Sequence, residues 1–515
     1  MTFNREGRVM TFDRTFALPV AALGVFISGS AAVAEVTPAQ VWGDWKAYMA
    51  GFGYAVTSEE AMQGDTLSVT DIRLVMQAPE EGDRATLSVA EMRFSDNGDG
   101  TVSVAIPDGV PMGVVLDSEG EQVEMALDYS TDAFEMTVSG DPGAMRYDYA
   151  ADAMTLGLAE LIVEGEPVDI GQAEMTLEAL SGSTEMMVDG LRRSVQNVRT
   201  GTVRYRIDMA DPEGEGRLRA QGGAESTNFA GTSSLPRDLD TRDMPAMLAA
   251  GFAVDGRFSY VGGASEYMFE EDGQSLQGRN ASESGRFSVA MSADGLTYDV
   301  AADDLQIEAM SSDLPFPVGL QLDETRFGLQ MPVAQSEETQ DFALSLKLGD
   351  FTMSDSIWSL FDPQGKLPHD PATFLVDVAG KARLLVDVMD AEGLEDVEDG
   401  ATMPGDLESL TLNDLVLRAV GAELSGTGAF TFDNSDTETF EGLPAPDGKV
   451  DLKLVGGNGV LDRLIDMGLL PEEQATSMRM MMGMFAVPGE GEDTLVSTIE
   501  VQPDGKITAN GQRLR

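Results

Sequence analysis

The chain has 515 residues, no cysteine, one histidine, and 89 acidic against 33 basic side chains, for a formal net charge of −56. Without cysteine there is no disulfide framework, zinc ribbon, iron–sulfur cluster, thiol nucleophile or lipoprotein acylation site, and one histidine cannot build a histidine-rich metal site. A surface this negative repels phosphate, so non-specific nucleic-acid binding is excluded as well.

Residues 1–34 read as a secretory signal peptide. Arg5, Arg8 and Arg14 form a basic start diluted by Glu6 and Asp13, Phe16 to Ile27 is apolar, and Ala32-Val33-Ala34 fits the small-x-small cleavage rule. The apolar run is shorter than the roughly 20 residues a membrane span needs, and Met10 offers an alternative start. The mature chain is expected to begin near Glu35, to be periplasmic, and to hold no stable transmembrane segment. The spread of acids along the chain keeps a long β-rich protein soluble and apart from its copies.

At 42% hydrophobic the chain is globular, and its length suggests about three domains. Thr37-Pro38 is an N-cap followed by proline at the first helical position, with Trp42, Trp45 and Met49 on one face before Gly51. Strand-sized runs follow. Leu87 to Phe94, the turn Asp96-Asn97-Gly98-Asp99-Gly100 and Val102 to Ile106 form a hairpin, because Asn and Gly tolerate the positive φ of a tight turn. Val123–Leu127, Phe134–Val138, Met154–Leu158 and Val203–Ile207 continue the pattern, and Phe287–Met291 turns through Ala293-Asp294-Gly295 into Leu296–Val300. Short helices punctuate it: Met244 to Ala250 behind Asp243, Ser354 to Phe361, and a helical hairpin of Gly459 to Met467 and Pro471 to Phe485 broken at Gly468. Leu67–Leu74, Val168–Leu177 and Leu410–Leu417 share a form, strand, small polar step, strand, which is a weak internal repeat.

These signals predict a mainly β protein of elongated, twisted antiparallel sheets, forming a groove or layered, with a few short helices and a C-terminal helical hairpin. The expected divisions are a signal peptide over 1–34 and β-rich domains over 35–235 and 236–400, then a C-terminal sheet with the helical hairpin over 401–515. Ser234 to Asp243 and the acidic run Ala391 to Asp406 mark the boundaries.

Catalytic motifs are scarce. There is no G-x-S-x-G elbow, and His369 lies between Pro368 and Asp370 in a proline-rich loop, where a solvated histidine is expected. Gly457-Asn458-Gly459 superficially resembles a dinucleotide fingerprint, but Asp462 stands where the third glycine belongs. Asp96 to Gly100 fails calcium-loop spacing, since glycines occupy ligand positions and Pro107 replaces the bidentate Glu. Paired carboxylates for glycoside hydrolysis cannot be picked out among 89 acids. No catalytic, cofactor-binding or metal-ligating residue is therefore assigned. An outer-membrane barrel is disfavoured by 7% aromatics and by a C-terminus ending Gln512-Arg513-Leu514-Arg515. Met478, Met480, Met481, Met482 and Met484 crowd one helix ahead of Phe485, and methionine suits adaptable apolar surfaces; the plainer expectation is a helix packing its sheet.

The stretch Glu35-Val-Thr-Pro-Ala-Gln-Val-Trp-Gly-Asp-Trp-Lys46, with Gly51-Phe-Gly-Tyr54, resembles the uncharacterised alphaproteobacterial domain-of-unknown-function 2125 family across the mature chain. The C-terminal helix pair, followed by the hairpin Leu495–Val501 and Lys506–Asn510, resembles the end of AsmA-like and YdgA-like envelope proteins. So does Ile357 to Pro368. The resemblance implies long twisted sheets curled into an apolar groove that shields lipid chains, and it brings no catalytic residues. AsmA-like proteins usually keep an N-terminal membrane anchor, and here the apolar segment is expected to be removed. The reading is thus a non-enzymatic envelope protein binding a lipid-like ligand, with Trp358, Phe361, Met478, Met481, Met482 and Phe485 as the residues to examine first. Two alternatives stand beside it. One is a structural protein with both sheet faces covered that meets an envelope protein partner, and the other is a carbohydrate-active hydrolase.

Overall fold

The computed structural model describes residues 2–3, 9–10, 35–77, 83–118, 121–168, 170–211, 216–236, 243–314, 316–390, 397 and 404–514. The expected signal peptide lies outside the described residues, save for a short pairing of Thr2–Phe3 with Val9–Met10. The protein is mainly β, its strands are antiparallel, and it ends in a helical hairpin. Among the described residues no helix is long and apolar enough to cross a membrane. Two compact units divide the chain, one of residues 1–219 and 228–242, the other of residues 220–227 and 243–515.

The first unit opens with α1 (Pro38–Gly51). The Thr37 backbone N–H is taken by the Gln40 side chain at 2.9 Å, and Pro38 follows it. Its longer strands are β1 (Ala55–Gln63), β2 (Thr66–Gln77), β3 (Arg84–Asp96), β4 (Val102–Ala105), β5 (Met112–Ser118) and β6 (Glu121–Asp132). β7 (Glu135–Asp141), β8 (Ala144–Val163), β9 (Ile170–Asp189), β10 (Leu191–Thr200) and β11 (Val203–Ala210) follow. β3 pairs with β4 at one end and β5 at the other, and β7 and β6 pair with opposite halves of β8. β8 then pairs with β9.

The β3–β4 hairpin turns where the Asn/Gly run predicts it. The positive φ falls on Gly98 and Gly100, and the Asp96 carboxylate accepts from the Gly98 N–H.

Period-two alternation gives this sheet one strongly apolar face. Phe94 lies opposite Val104, Val102 opposite Val138, and Val138 opposite Tyr147. Phe94, Val102, Val138 and Tyr147 are all fully buried. α1 closes this core, with Trp42 and Trp45 ring centroids 5.8 and 5.7 Å from Phe94. Under the helix, buried Asp44 receives Arg192 Nη2 and the Tyr147 hydroxyl, each at 2.6 Å. Burial, reinforced by Asp44, pushes the Tyr147 phenol well above its ordinary range.

β12 (Arg217–Ala224) and β13 (Ser226–Leu235) contribute residues to both units. The second unit continues with α2 (Met244–Ala249), whose Ala246 N–H is capped by Asp243 as predicted. A meander of consecutive antiparallel strands follows. It comprises β14 (Ala253–Glu271), β15 (Gln274–Ser292), β16 (Gly295–Ser311), β17 (Val318–Met331), β18 (Gln340–Met353) and β19 (Ala372–Leu384). β20 (Gly405–Ala419), β21 (Ala422–Asp433), β22 (Ala445–Val455), β23 (Thr494–Val501) and the short β24 (Ile507–Ala509) complete it. α3 (Asp355–Phe361) lies between β18 and β19, and α4 (Gly457–Asp466) and α5 (Glu472–Phe485) lie between β22 and β23. The sequence reading divides near residue 400. The strands on either side, β19 and β20, pair with each other and fall in the same unit. Much of the run 391–406 lies outside the described residues.

The polar step of the repeat-like segments has a backbone meaning. Asp71 takes positive φ in β2, while Gly171 in β9 and Asn413 in β20 sit where the register shifts.

Candidate ligand-binding face

Directly opposed residues of antiparallel strands share a face, so the register of the meander can be read across it row by row. Phe258 opposes Phe287, Phe287 opposes Val300, and Val300 opposes Phe327. The row goes on through Leu346, Val376 and Leu415. It ends through Gly426 and Leu452 at Ser497 of β23. Two positions along each strand, a second row runs from Tyr260 by way of Leu348, Phe374, Leu417, Leu424 and Leu454 to Leu495. On the other flank Val289, Tyr298, Leu329 and Leu344 oppose one another, and Val378, Leu412, Gly428, Val450 and Ile499 carry that row to the last strand.

From β14 to β23 these rows bear no charged side chain. Thr325 and Ser497 are among their few hydroxyl groups. The bulge at Asn413 preserves the pattern, because the extra residue keeps both Leu412 and Leu415 on the apolar side.

The opposite face is charged. Asp299 receives Arg286 at 3.2 Å and Arg326 at 3.1 Å, while Lys347 pairs with Glu324 and Lys381 with Asp341.

No large side chain on these rows is fully buried; most are half-buried and several are exposed. Phe258, Phe287, Phe327 and Leu417 are 38, 36, 37 and 48% exposed, whereas Phe94 in the first unit is 0%. A fourth row lies beyond the Val289 row, with Met291, Leu296 and Met331 and then Phe342, Gly380, Leu410, Phe430, Gly448 and Val501. Ten strands about 4.8 Å apart span roughly 43 Å, and the four rows cover about 20 Å along the strands, a footprint on the order of 900 Å². Contiguous apolar patches on soluble monomers are usually about 300–600 Å², and larger ones mark interaction sites.

Rings and glycines shape the surface. Tyr298 sits 5.2 Å from Phe287 and 5.9 Å from Phe327, edge to face. Tyr260 lies over Gly285, where a Cβ would come within 2.3 Å of the ring, and Phe342 lies in the same way over Gly380, at 2.5 Å. Glycine at these positions lets aromatic rings lie flat along the sheet.

α5 borders this face. Ser497, on the apolar side at β23, donates to the Phe485 carbonyl at 2.5 Å, and the Asn510 side-chain amide donates to the same oxygen at 3.0 Å. The end of α5 is thereby fixed on the apolar side of the last long strand. Met478, Met481 and Phe485 are exposed, as are Met480 and Met484, and Met482 is half-buried. Ala475 is the residue of α5 that is fully buried. The expectation of a helix that packs its methionines against the sheet is therefore corrected, because this helix turns most of them outward.

On α3, Phe361 is exposed but Trp358 is buried. The indole stacks on His369 at 3.9 Å with an interplanar angle of 9°, and contacts Phe361 at 4.9 Å. Trp358 is thus a packing residue of the α3 loop. His369 is not simply solvated either, since its Nε2 is also 3.5 Å from buried Asp362. Burial raises the Asp362 pKa, but N–H donation from Lys366 and Leu367 outweighs it and holds the carboxyl below its ordinary value.

The glycine-rich start of α4 has its own anion. Asp493 accepts from the backbone N–H groups of Asn458 and Gly459 at 3.2 and 2.9 Å and from the Asn458 amide at 2.7 Å. The helix terminus that a phosphate would need is filled by this carboxylate.

Sequence reasoning expected an apolar groove and singled out α5, but named no residue of the sheet face. The signal lay in each strand's alternation, but only register shows that ten alternating strands place their apolar sets on one side.

The model of a family described as an uncharacterized protein conserved in bacteria, DUF2125, matches residues 261–514. The match lies on the second unit and does not include the Glu35–Tyr54 stretch. No curated protein and no solved structure matches the chain.

Proposed function

We propose that this chain, matched over residues 261–514 by the DUF2125 family, is an exported, non-enzymatic envelope protein that holds an apolar or amphiphilic, lipid-like ligand on the β14–β23 face. One observation carries the reading: a ten-strand apolar face with rows free of charged side chains, whose large residues are exposed or half-buried and none fully buried. Left bare, such a face is a standing aggregation liability, and a ligand chain laid on it removes that apolar area from water. The periplasmic assignment rests on the leader-like residues 1–34, and the AsmA-like comparison on the C-terminal helix pair and hairpin.

The rival, a structural protein whose sheets cover each other, calls for a second layer over this face. The meander as described has none, which favours the ligand reading.

The test is mass spectrometry of organic extracts from protein purified without detergent from its native periplasm. Stoichiometric lipid above a control protein is the expected result. Extracts repeatedly no richer than the control would overturn the proposal and favour a protein partner.

A further inference from the structure

The charge pattern around the apolar face narrows the ligand class, an inference that rests on the reading of that face as a binding surface. The register places the basic side chains of these strands on the opposite side of the sheet. Arg257, Arg286, Arg326, Lys347, Lys449 and Lys453 all fall there. Many are already committed, as with Arg286 and Arg326 to Asp299, Lys347 to Glu324 and Lys449 to Asp451.

The connections at the strand ends beyond Leu296, Phe342 and Phe430 are acidic. They carry Glu337, Glu338, Asp387, Asp390, Asp436 and Glu438, and among their described residues Lys506 is the only basic one. At the other strand ends, Arg418 is held by Asp350 and Thr373, and Arg463 donates to the Val420 carbonyl. An anionic head group reaching either rim meets a field set by a net charge of −56 and finds few uncommitted cations.

We infer that the face selects amphiphiles with uncharged or cationic head groups and rejects anionic ones of the same chain length. The apolar chain supplies the common affinity through area buried, and the head group supplies the discrimination through long-range charge. Repulsion between exposed charges is screened by salt, so the discrimination must shrink as ionic strength rises. The same charge opposes a second copy of this chain as the occupant, because two such molecules repel.

The experiment is displacement of a neutral solvatochromic dye, Nile red, from the full chain by three sixteen-carbon amphiphiles below their aggregation concentrations. These are hexadecanol, hexadecyltrimethylammonium and palmitate at neutral pH. At low salt, palmitate is expected to displace the dye at least tenfold more weakly than hexadecanol, and the cation at least as well as the alcohol. The gap should narrow at high salt. Palmitate equal to or better than hexadecanol would overturn the inference while leaving apolar binding intact. If the dye does not bind, or none of the three displaces it, the reading of the face itself fails. Light scattering on the same samples reports self-association, and loss of dye binding in step with dimer formation would identify a second copy as the occupant and refute both.

Discussion

At the scale of single residues, polar groups decide where the helices are held. Asp44 joins α1 to the first-unit sheet through Arg192 and Tyr147, and the Asp44 and Arg192 side chains are only 8 and 11% exposed. Removing one partner of a buried pair leaves the other charge without compensation, at a cost of about 3–5 kcal/mol. Asp44→Ala is therefore expected to lower the unfolding free energy of the first unit, measured by urea titration, by that amount. A shift under about 1 kcal/mol would show that the pair is solvated.

Asp493 plays a similar part at α4. Burial raises its pKa, but the hydrogen bonds from Gly459 and Asn458 outweigh it and leave the carboxyl below its ordinary 3.8. For a depressed folded-state pKa, the stabilisation is complete above the unfolded value and is lost as pH falls through the folded one. Asp493→Asn keeps the residue's tolerance of its positive φ of 46° but removes the charge. It should cost about 1 kcal/mol at pH 7. The difference from the parent chain should shrink as pH falls below 3.8 and through the depressed folded-state value in paired thermal melts, and a gap that does not change with pH would mean the carboxylate is not the cap.

At the scale of elements, α1 and α5 show two uses of an apolar helix. α1 buries Val41 and Trp42 and closes a core. α5 buries Ala475 and leaves Met480, Met481 and Met484 more than half exposed. Substitutions on such a surface usually change stability by less than about 0.5 kcal/mol. Met481→Ser combined with Met482→Ser is expected to melt within a few degrees of the parent and to lose lipid retention. Full retention in the folded variant would remove α5 from the site and leave only the sheet.

At the scale of the whole molecule, the two units invest their apolar residues differently, and matched substitutions separate them. Phe94→Ala empties a fully buried position beneath two tryptophans and should cost about 3–5 kcal/mol. Phe327→Asp places a charge on an already exposed position of the bare face. It should leave the melting temperature nearly unchanged and abolish Nile red binding. If Phe327→Asp unfolds the second unit, the face is a packed core and the ligand reading falls.

The sequence by itself determined local structure, because the causes are local. Thr37-Pro38 begins α1, Asp243 caps α2, Gly98 and Gly100 turn the β3–β4 hairpin, and Gly468, at a φ of 74°, breaks the pair α4–α5. It also singled out the methionine-rich helix, since five methionines in seven residues need no partner to be noticed. It misplaced Trp358, because stacking on His369 depends on how the loop after α3 folds back. It assigned no residue to the apolar sheet face, and an apolar groove was implied by the family resemblance alone. Each strand there alternates like a half-buried strand of any sandwich, and neither the exposure of this face among the described residues nor the common orientation of ten strands is written in one strand's pattern. Those follow from register, which is fixed by pairings between strands, and from the packing within the second unit. Both are properties of the tertiary structure.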